Sequence, residues 1–311
     1  MNNRILVTIG IPVFNEEKNL RDTLESAINQ TYRNISIVVS DNCSTDSSWE
    51  IAMEYASRDS RIVLHRHEIN KGVVANFKYP LSVSETKYFM WLGAHDILLP
   101  TFIEEAVGKM EQDSSIALVY PRALFFEKEG ELLQSADSEI ATSEIDAYKR
   151  IQLLIRKLNA CTAIHGLFRT AELKKHPLNH MGCDDYLILV LTSASGKIMP
   201  TSGIQFHRRI SRNEGAEQVK SRYVAFGYLD DAQYSLGLLT SFSHIKHLIR
   251  LNNVSYLNKL RLLIELKFAF PARFGAFTWR KAVRYFLTRD FQPSAIVAIL
   301  IMMIVFMKYK E

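Results

Sequence analysis

The sequence predicts an α/β protein in which a mostly parallel sheet is covered by helices on both faces. Two observations support this class: short apolar segments alternate with amphipathic helical patterns over the first 120 residues, and those segments lack polar alternation. A third is that a polar cluster follows three of the segments where each one ends. With 311 residues and 48% hydrophobic composition the chain can form a sizeable core, which excludes a disordered or fibrous protein.

Five strands and four helices are expected in this first part of the chain. The strands are predicted at residues 5–13, 35–40, 62–64, 88–92 and 116–120. Apolar spacing or a capping residue marks each helix start, at Leu20, at Asp46, at Asn70–Gly72 and at Pro100–Thr101. Further along, the patterns predict a helix over 144–159, a strand over 163–168 and an apolar helix over 187–192.

The polar clusters that follow three strands are Asn15-Glu16, Asp41-Asn42 and His95-Asp96. Ligands of open parallel sheets bind beyond the carboxyl ends of the strands, so we expect the three clusters to line one crevice. No glycine-rich phosphate loop is present, and carboxylates alone would repel a diphosphate. A divalent cation that bridges carboxylates and phosphates is therefore predicted, and the same side chains suit the hydroxyls and ring nitrogens of a nucleoside.

The three cysteines, Cys43, Cys161 and Cys183, are far apart and show no C-x-x-C spacing. This spacing argues against a zinc site and a disulfide framework, so free thiols in a reducing cytosol are expected. Residues 1–4 lead directly into a strand pattern, without the charged and apolar regions of a signal peptide. Secretion by that route is therefore not expected.

Four motifs follow one another along the chain at Ile11–Glu16, Val39–Asp46, residues 70–76 and Trp91–Pro100. In order and spacing they resemble those of the family 2 glycosyltransferases, which have the GT-A fold. Ile11–Glu16 resembles the opening strand and loop of that family, and Val39–Asp46 is similar to its "DDGSTD" signature. Residues 70–76 resemble the loop that passes near the donor, and Trp91–Pro100 aligns with the "LDADDLLLP" segment that bears the D-x-D metal motif. The resemblance extends over residues 9–207, and the order and spacing of the four motifs make it specific.

The resemblance implies a sugar transferase whose donor is a nucleoside-diphosphate sugar of the UDP, dTDP or GDP type. It assigns the donor nucleotide to ten residues: Pro12, Phe14, Asn15, Glu16, Asp41, Asn42, Lys71, Asn76, Ala94 and His95. Asp41 is expected to face the base. Plainer interpretations stay open for some positions, namely a turn at Asp41, a solvated loop at Lys71 and helix capping at Asp46.

The metal motif departs from the family pattern, because its two carboxylate positions fall on Gly93 and His95 and only Asp96 is retained. Imidazole can bind Mn²⁺, so His95 and Asp96 are expected to hold Mn²⁺ or Mg²⁺, weakly and with a preference for manganese. Alternatively, His95 only packs locally. By the resemblance, His207 is a third metal ligand in one register, and Ser211 takes the place of the family's histidine in another.

Asp184 and Asp185 stand where the family has a "GED" element, whose final carboxylate is the general base of an inverting transfer. Asp185 is predicted to be the base and Asp184 its orienting partner, while helix capping is the competing interpretation for both. Arg208 and Arg209 either approach the diphosphate or belong to a basic surface strand.

The character of the chain changes from Leu257 onward, where Lys and Arg mix with Phe, Trp and Leu as in helices that lie on anionic membranes. The apolar run 294–307 would form a helix of about 21 Å, short of the roughly 30 Å hydrocarbon core. An interfacial or partly inserted helix is favoured over a tilted span or a helix packed on protein. The predicted division is a GT-A domain over 1–215, with a donor half to 120 and an acceptor half from 121, and a helical membrane-associating region over 216–311.

These features predict an enzyme at the cytoplasmic face of a bacterial inner membrane, without a nucleic-acid partner. The resemblance implies a lipid-linked glycan acceptor in the synthesis of O-antigen, capsule or a related polysaccharide. A sugar nucleotidyltransferase is a competing enzyme, but it would show a glycine-rich basic loop where this chain has Phe14–Glu17. The other alternative is a degenerate transferase that acts as a membrane scaffold, against which the pair Asp184-Asp185 argues.

Overall fold

The computed structural model describes residues 6–126, 132–133, 140–143, 146–158, 161–176, 184–209, 251, 253–262 and 265. Over these residues nine strands form one sheet: β1 (Val7–Val13), β2 (Ile35–Asp41), β3 (Ile62–Arg66), β4 (Tyr88–Trp91), β5 (Ile97–Leu98), β6 (Ile116–Phe126), β7 (Leu132–Leu133), β8 (Leu167–Arg169) and β9 (Lys197–Arg209). The helices in the same ranges are α1 (Leu20–Ile28), α2 (Ser48–Arg58), α3 (Gly72–Val83), α4 (Phe102–Gln112), α5 (Ala147–Lys157), α6 (Thr170–Leu173) and α7 (Asp184–Ser195), with a 3₁₀ turn η1 (Thr162–His165).

The first four strands lie parallel in the order β3-β2-β1-β4. β1 is buried along its whole length, which confirms the burial on both faces predicted from its continuous apolar run. The registers pair Val13 with Asp41 and Asp41 with Arg66, so these strands end level with one another. The polar residues that follow them therefore meet at one edge of the sheet.

The second half of the sheet is mixed, which corrects the prediction of a mostly parallel sheet. β8 runs antiparallel to β4 and β6, and β9 runs parallel to β6. β5 and β7 pair antiparallel with β9 and β6, respectively. Periodicity does not reveal strand direction, and β5, β7 and β8 have two or three residues each, too few for any pattern.

The strand expected over 163–168 is instead η1 followed by β8, with Gly166 between them. A Cβ atom at position 166 would lie 2.5 Å from Leu118 Cδ1 and 2.7 Å from the Val119 carbonyl oxygen, so glycine lets the chain pass this close to β6. Helix α7 begins at Asp184 rather than at 187, which places both candidate carboxylate residues in its first turn.

The hydrophobic core packs β1, β2 and β4 against α1, α2 and α4. Its buried side chains include Ile9, Leu24, Phe102 and Phe206, the last of which comes from β9 and joins the mixed half of the sheet to the parallel half. Burial of each such side chain contributes about 1.5–3 kcal/mol. This core fixes the strand ends that carry the polar clusters.

Most of the C-terminal region lies outside the described residues, including the apolar run 294–307 and all but 257–262 and 265 of the basic-aromatic segment. Residues 256–262 are helical. Asn253 Nδ2 donates to the Ala194 carbonyl at the end of α7 at 2.7 Å, and Glu265 pairs with Arg156 of α5 at 3.0 Å. None of the helices in the described ranges has the length and apolar character that crossing a bilayer requires.

Candidate functional site

The loops after β1 and β2 are joined by hydrogen bonds. The backbone N–H of Asn15 donates to Ser44 Oγ at 3.0 Å, and the Thr45 N–H donates to Asn15 Oδ1 at 2.8 Å. The Glu16 N–H donates to Ser48 Oγ at 2.7 Å. Asn15 has a left-handed φ of 54°, which asparagine tolerates better than most residues. These bonds fix the two loops as one wall of the crevice. Asn15 Oδ1 and Ser44 Oγ each accept a hydrogen bond from the other loop.

Asp46 supports the start of α2. One of its carboxylate oxygens accepts from the Ser48 N–H at 3.0 Å, and the other accepts from the Glu17 N–H at 3.1 Å. This geometry favours the helix-capping interpretation of Asp46 over a contact with a ligand.

Asp41 ends β2 and is buried, with 1% of its surface exposed. Its Oδ2 lies 3.2 Å from Arg66 Nε and accepts from the Ser44 N–H at 3.1 Å. Its Oδ1 has no partner among the described residues. Because a buried oxygen without a donor is costly, Oδ1 is where a donor from a bound ligand would be stabilised. Arg66 was not predicted as a site residue, since only the register of β2 and β3 brings it to Asp41.

Two predicted donor residues support the crevice from behind. Asn42 Oδ1 accepts from the Lys71 N–H at 2.9 Å. Asn76 is buried, accepts from Ser40 Oγ at 2.7 Å and donates to the Val13 carbonyl at 3.0 Å. These bonds hold α3 and the loop before it against the ends of β1 and β2.

The other predicted donor residues differ in burial but belong to the same edge of the sheet. Pro12 and Ala94 are buried, Phe14 and Glu16 are half-buried, and Lys71 is exposed. Each lies at the end of β1 or in a loop that follows one of the four parallel strands. The structure therefore places the predicted donor residues at the edge of the sheet where Asp41 lies.

His95 lies in the loop after β4, where its Nδ1 is 2.8 Å from Glu16 Oε1. Burial lowers the pKa of His95, but the hydrogen bond to Glu16 and the charge of Asp96 outweigh burial and leave the pKa raised. The side chain is 43% exposed although protein crowds it, as expected for a group that lines a cleft. Since the carboxylate of Glu16 accepts at Nδ1, Nε2 is left to bind another group.

Gly93 leaves a gap between the two candidate metal ligands. A Cβ atom at this position would lie 2.5 Å from Asp96 Oδ2 and 3.8 Å from His95 Nε2, so both atoms face the same small space. A histidine whose other nitrogen is held by a carboxylate is the usual form of a histidine ligand. The pair fits a divalent cation that takes its remaining ligands from phosphates and water.

Asp96 is buried and anchored on one side. Its Oδ1 accepts from the Arg209 N–H at 2.9 Å, and its carbonyl accepts from Thr23 Oγ1 at 2.9 Å. Burial raises the pKa of the Asp96 carboxyl, while His95, the Arg209 N–H and Arg208 oppose the rise. Oδ1 is thus bound within the protein, and Oδ2 faces the gap beside Gly93.

His165 approaches the same carboxylate and was not predicted as a site residue. Its Nδ1 is 3.2 Å from the Trp91 carbonyl, and its Nε2 is 3.9 Å from Asp96 Oδ2. Burial lowers the pKa of His165 to about 3, so the imidazole is neutral. In the sequence His165 has no fixed spacing to the metal motif, and the pairing of β8 with β4 brings it there.

His207 does not join His95 and Asp96. It pairs in register with Ile97, and its ring packs against Phe126 with 6.3 Å between the centroids. Within the described ranges no group of three His, Cys, Asp or Glu residues is arranged to hold a metal ion. The described residues therefore do not assemble the three-ligand set expected from the sequence, and Ser211 lies outside them.

Asp184 and Asp185 are the first two residues of α7. The Asp185 side chain reaches solvent, yet the surrounding protein raises its pKa, while the guanidinium of Arg208 and its own N–H oppose the rise. The helix dipole stabilises carboxylates in the first turn, so capping stays compatible with both residues. A solvent-accessible carboxyl group with a raised pKa also has the character of a general base.

The chain is similar in sequence to known glycosyltransferases. The model of the family described as Glycosyl transferase family 2 matches residues 8–171. Escherichia coli WfaP, named UDP-Glc:alpha-D-GlcNAc-diphosphoundecaprenol beta-1,3-glucosyltransferase, is 32% identical over 108 residues, which cover 35% of this chain and 42% of WfaP. The chain spans less than half of the length of the curated relatives it matches.

Solved structures show the same fold at low identity. The structure of S. aureus TarS 1-349 in complex with UDP-GlcNAc has a TM-score of 0.64 and 16% identity, over 86% of this chain and 73% of that chain. The mannosyltransferase PcManGT from Pyrobaculum calidifontis, in complex with GDP-Man and Mn2+, has a TM-score of 0.53 and 13% identity, over 99% of this chain and 81% of that one. The fold is thus a mixed α/β sheet that resembles GT-A transferases.

Proposed function

The chain belongs to glycosyl transferase family 2, and from this premise we propose that it transfers a sugar from a nucleoside-diphosphate sugar to a hydroxyl of a lipid-linked glycan. That it is a glycosyltransferase follows from the family and from relatives that carry this name. We further propose that the transfer inverts the anomeric carbon and serves the synthesis of a cell-surface polysaccharide such as O-antigen or capsule.

The observation that carries the proposed donor site is Oδ1 of Asp41, which lies at the carboxyl edge of the sheet and has no partner among the described residues. Uracil and thymine present one N–H, at N3, to such an acceptor, whereas guanine presents two adjacent donors that suit a carboxylate with both oxygens free. Because Arg66 and Ser44 hold Oδ2, the site favours a UDP- or dTDP-sugar over a GDP-sugar. The UDP-Glc in the name of WfaP and the UDP-GlcNAc bound to TarS support this choice.

We propose that His95 Nε2 and Asp96 Oδ2 hold Mn²⁺ or Mg²⁺. A divalent cation bound there supplies positive charge beside the departing diphosphate. Glu16 orients the imidazole of His95, and the Arg209 N–H fixes the carboxylate of Asp96. With one imidazole and one carboxylate, the pair favours Mn²⁺ over Mg²⁺. The Mn2+ in the PcManGT complex supports a divalent metal in a protein of this fold.

In the proposed reaction, Asp185 takes the proton of the acceptor hydroxyl as the hydroxyl oxygen bonds to the anomeric carbon. The bond from that carbon to the β-phosphate oxygen breaks, and its electron pair leaves with the nucleoside diphosphate. Attack and departure on opposite faces invert the carbon. The raised pKa of Asp185 makes it a stronger base than a free carboxylate, and Asp184 beside it is proposed to orient it.

We propose that the acceptor is lipid-linked and that the enzyme acts at the cytoplasmic face of a bacterial inner membrane. The name of WfaP specifies a diphosphoundecaprenol-linked acceptor, which supports this class. The basic and aromatic residues after Leu257 support contact with an anionic surface. In this arrangement residues 1–215 carry the chemistry, and residues 216–311 bring it to the membrane.

The test is calorimetric titration of UDP, dTDP and GDP into the full chain, with and without Mn²⁺. UDP or dTDP is expected to bind at least about tenfold more tightly than GDP, and more tightly with Mn²⁺, because guanine would leave a donor unpaired. Asp41→Ala is expected to weaken binding. Asp113→Ala is the control, since Asp113 precedes β6 at the opposite edge of the sheet. Failure of all three nucleotides to bind the folded protein would contradict the donor site.

A catalytically degenerate transferase that serves as a membrane scaffold is the second candidate. Its support is the absence of both family carboxylates at Gly93 and His95, together with the absence of a three-residue metal group from the described part of the chain. Manganese-dependent hydrolysis or transfer of the donor sugar separates the two candidates, because a scaffold would bind without turnover.

A further inference from the structure

Arg208 is a partly buried cation on β9 without a counter-ion among the described residues. Its Nη1 donates to Thr162 Oγ1 at 2.9 Å, and its guanidinium lies 6.0 Å from the centroid of the Phe125 ring. A guanidinium has five N–H donors. Within the described ranges Thr162 is its one hydrogen-bond partner, so most of these donors are available to a ligand.

The neighbouring residue has a different role. The Arg209 N–H donates to Asp96 Oδ1 at 2.9 Å, and Arg209 Nε donates to the His95 carbonyl at 3.2 Å. Side chains alternate along a strand, so Arg208 and Arg209 project from opposite faces of β9. Arg209 holds the metal-motif loop in place, and Thr162, which is fully buried in η1, holds Arg208.

The charge of Arg208 acts on groups at both sides of the proposed reaction. It opposes the rise in the pKa of Asp185 and of Asp96 that the surrounding protein causes. The pKa of His165 is lowered mainly by burial and, to a smaller extent, by the charge of Arg208.

The geometry places Arg208 beside the metal motif. Thr162, which holds Arg208, lies in the same 3₁₀ turn as His165, whose Nε2 is 3.9 Å from Asp96 Oδ2, and the Arg209 N–H donates to Asp96 Oδ1 at 2.9 Å. If the proposed function holds, the donor diphosphate lies beside that motif.

We propose that Arg208 is a catalytic residue that binds the donor diphosphate and stabilises the negative charge that develops on it. This rests on the proposed function. When the bond from the anomeric carbon to the β-phosphate oxygen breaks, the electron pair stays on that oxygen and the acceptor proton passes to Asp185. A planar guanidinium can donate two parallel hydrogen bonds to phosphate oxygens. An arginine at a fixed position therefore stabilises the negative charge on the diphosphate well. The positive charge of Arg208 compensates for a metal ion that binds weakly, because the motif has Gly93 and His95 in place of two carboxylates.

The test compares uridine, UMP and UDP as ligands of the full chain by calorimetry, for the wild type, Arg208→Ala and Arg208→Lys. Arg208→Ala is expected to weaken UDP about 10- to 100-fold and to leave uridine unchanged, because the contact is with the diphosphate. Arg208→Lys keeps the charge without the planar fork and is expected to be intermediate. At saturating donor, kcat is expected to fall by a further factor of about 10², because the charge on the diphosphate grows in the transition state.

Two further variants control for folding. Arg122→Ala removes an exposed arginine of β6 that donates to the Ser202 carbonyl, and all three affinities are expected to stay unchanged. Thr162→Val removes the hydroxyl that orients Arg208 but keeps the charge, and it is expected to weaken UDP about 3- to 10-fold. Circular dichroism shows which variants fold. If Arg208→Ala does not fold, the UDP affinities of Arg208→Lys and Thr162→Val test the role of Arg208.

Unchanged UDP affinity in the folded variants, or equal weakening of UDP and uridine, would overturn the role of Arg208 and leave the donor site intact. If the wild type binds none of the nucleotides, the proposed function and the role of Arg208 fail together. Selective loss of UDP binding, with a larger loss in kcat, would establish Arg208 as a residue of the reaction.

Discussion

The two carboxylate oxygens of Asp41 differ in their surroundings, since Oδ2 is bound to Arg66 and Ser44 while Oδ1 is unpaired among the described residues. If Oδ1 receives the N3–H of a pyrimidine, loss of either partner costs about 1.5–3 kcal/mol, or roughly 10- to 100-fold in Kd. The protein-side change is Asp41→Ala, and the ligand-side change is N3-methyl-UDP. Calorimetry of the four combinations measures the coupling between them.

The two changes are not expected to add. The Asp41→Ala variant should bind N3-methyl-UDP and UDP about equally weakly, because it already lacks the carboxylate that would accept from N3–H. Arg66→Gln is the control, since it removes the ion pair but keeps Oδ1, and the discrimination against N3-methyl-UDP should persist. Fully additive losses would show that Asp41 does not face N3 of the base.

His165 gives a prediction about acid stability. Its pKa is lowered from 6.5 to about 3 by burial, so the unfolded chain takes up a proton between these values that the folded state excludes. The free energy of unfolding therefore falls as the pH drops below 6.5, by at most about 1.4 kcal/mol per pH unit from this group. Thermal unfolding at a series of pH values from 7.5 to 5 is expected to show a smaller decline for His165→Asn than for the wild type.

His95 provides a control of opposite sign. Its pKa is raised above 6.5, so it contributes stability that is present below 6.5 and is lost as the pH rises through the raised value. His95→Asn should therefore lose more stability on acidification than the wild type, whereas His165→Asn loses less. The same slope in all three proteins would show that neither imidazole is perturbed as described.

The residue types of the site were predictable from the sequence, but most of their partners were not. Asp41, His95 and Asp96 each follow a parallel strand, and such strand ends meet at one edge. The ion pair between Arg66 and Asp41 depends on the register of β2 and β3. The approach of His165 to Asp96 depends on the pairing of β8 with β4. These are contacts between distant segments, which leave no trace in local spacing.

At the level of elements, the first turn of α7 is where the proposed base lies. Asp185→Asn is expected to lower kcat by about 10²- to 10⁴-fold and to leave the Kd of UDP unchanged, because it removes the base without touching the donor. The surrounding protein raises the pKa of Asp185 above 3.8, so the acid limb of the kcat/KM profile is expected above that pH in the wild type. Steady-state kinetics across pH, with Asp184→Asn as the matched variant, measures both effects. A large loss in Asp184→Asn and a small one in Asp185→Asn would reverse their roles.

The junction of η1 and β8 predicts a contrast between two glycines. Gly166 has a φ of −82° that suits any residue, but a Cβ atom there would lie 2.5 Å from Leu118 Cδ1 and 2.7 Å from the Val119 carbonyl. Gly166→Ala is therefore expected to destabilise the protein by about 1–3 kcal/mol through crowding alone. Gly108 lies in α4 with no atom near its Cβ position, so Gly108→Ala is expected to stabilise by about 0.4–1 kcal/mol. Thermal unfolding of both variants checks the opposite signs.

The elements that the sequence predicted well share a physical cause. β1, β2 and β4 are continuous apolar runs, and the helices between them have a clear apolar face. The sequence therefore shows both the short apolar runs of buried strands and the 3.6-residue spacing of amphipathic helices. In the second half, β5 and β7 are two residues long, and η1 takes the place of half of a predicted strand. Their conformation is set by packing against β6 and β9. Arg208 and Arg209, for which a basic strand was one interpretation, form the end of the 13-residue β9.

At the level of the whole molecule, the two halves of the sheet supply different parts of the site. The parallel half gathers the predicted donor residues and the proposed metal ligands at one edge. The mixed half contributes His165 in η1, which approaches Asp96, and Arg208 on β9, which bonds to Thr162 in the same turn. Charge is distributed unevenly along the chain: residues 257–291 contain eight Lys and Arg against two acidic residues, whereas the whole chain has a net charge of +5. Such a basic and aromatic segment favours an anionic membrane surface.

The full chain is therefore expected to sediment with vesicles that contain phosphatidylglycerol, to bind neutral phosphatidylcholine vesicles weakly, and to dissociate as salt is added. Charge reversal at Arg280, Lys281 and Arg284 should lower vesicle affinity by at least about 100-fold, since each basic residue near such a surface contributes about 1 kcal/mol. The matched control reverses Arg58, Lys78 and Arg122, exposed residues of the described part of the chain, and should retain vesicle binding. UDP affinity should be the same in both variants if the segment after Leu257 serves the membrane and not the donor. Equal loss of vesicle binding in the two would show that total charge, and not the segment after Leu257, brings the protein to the membrane.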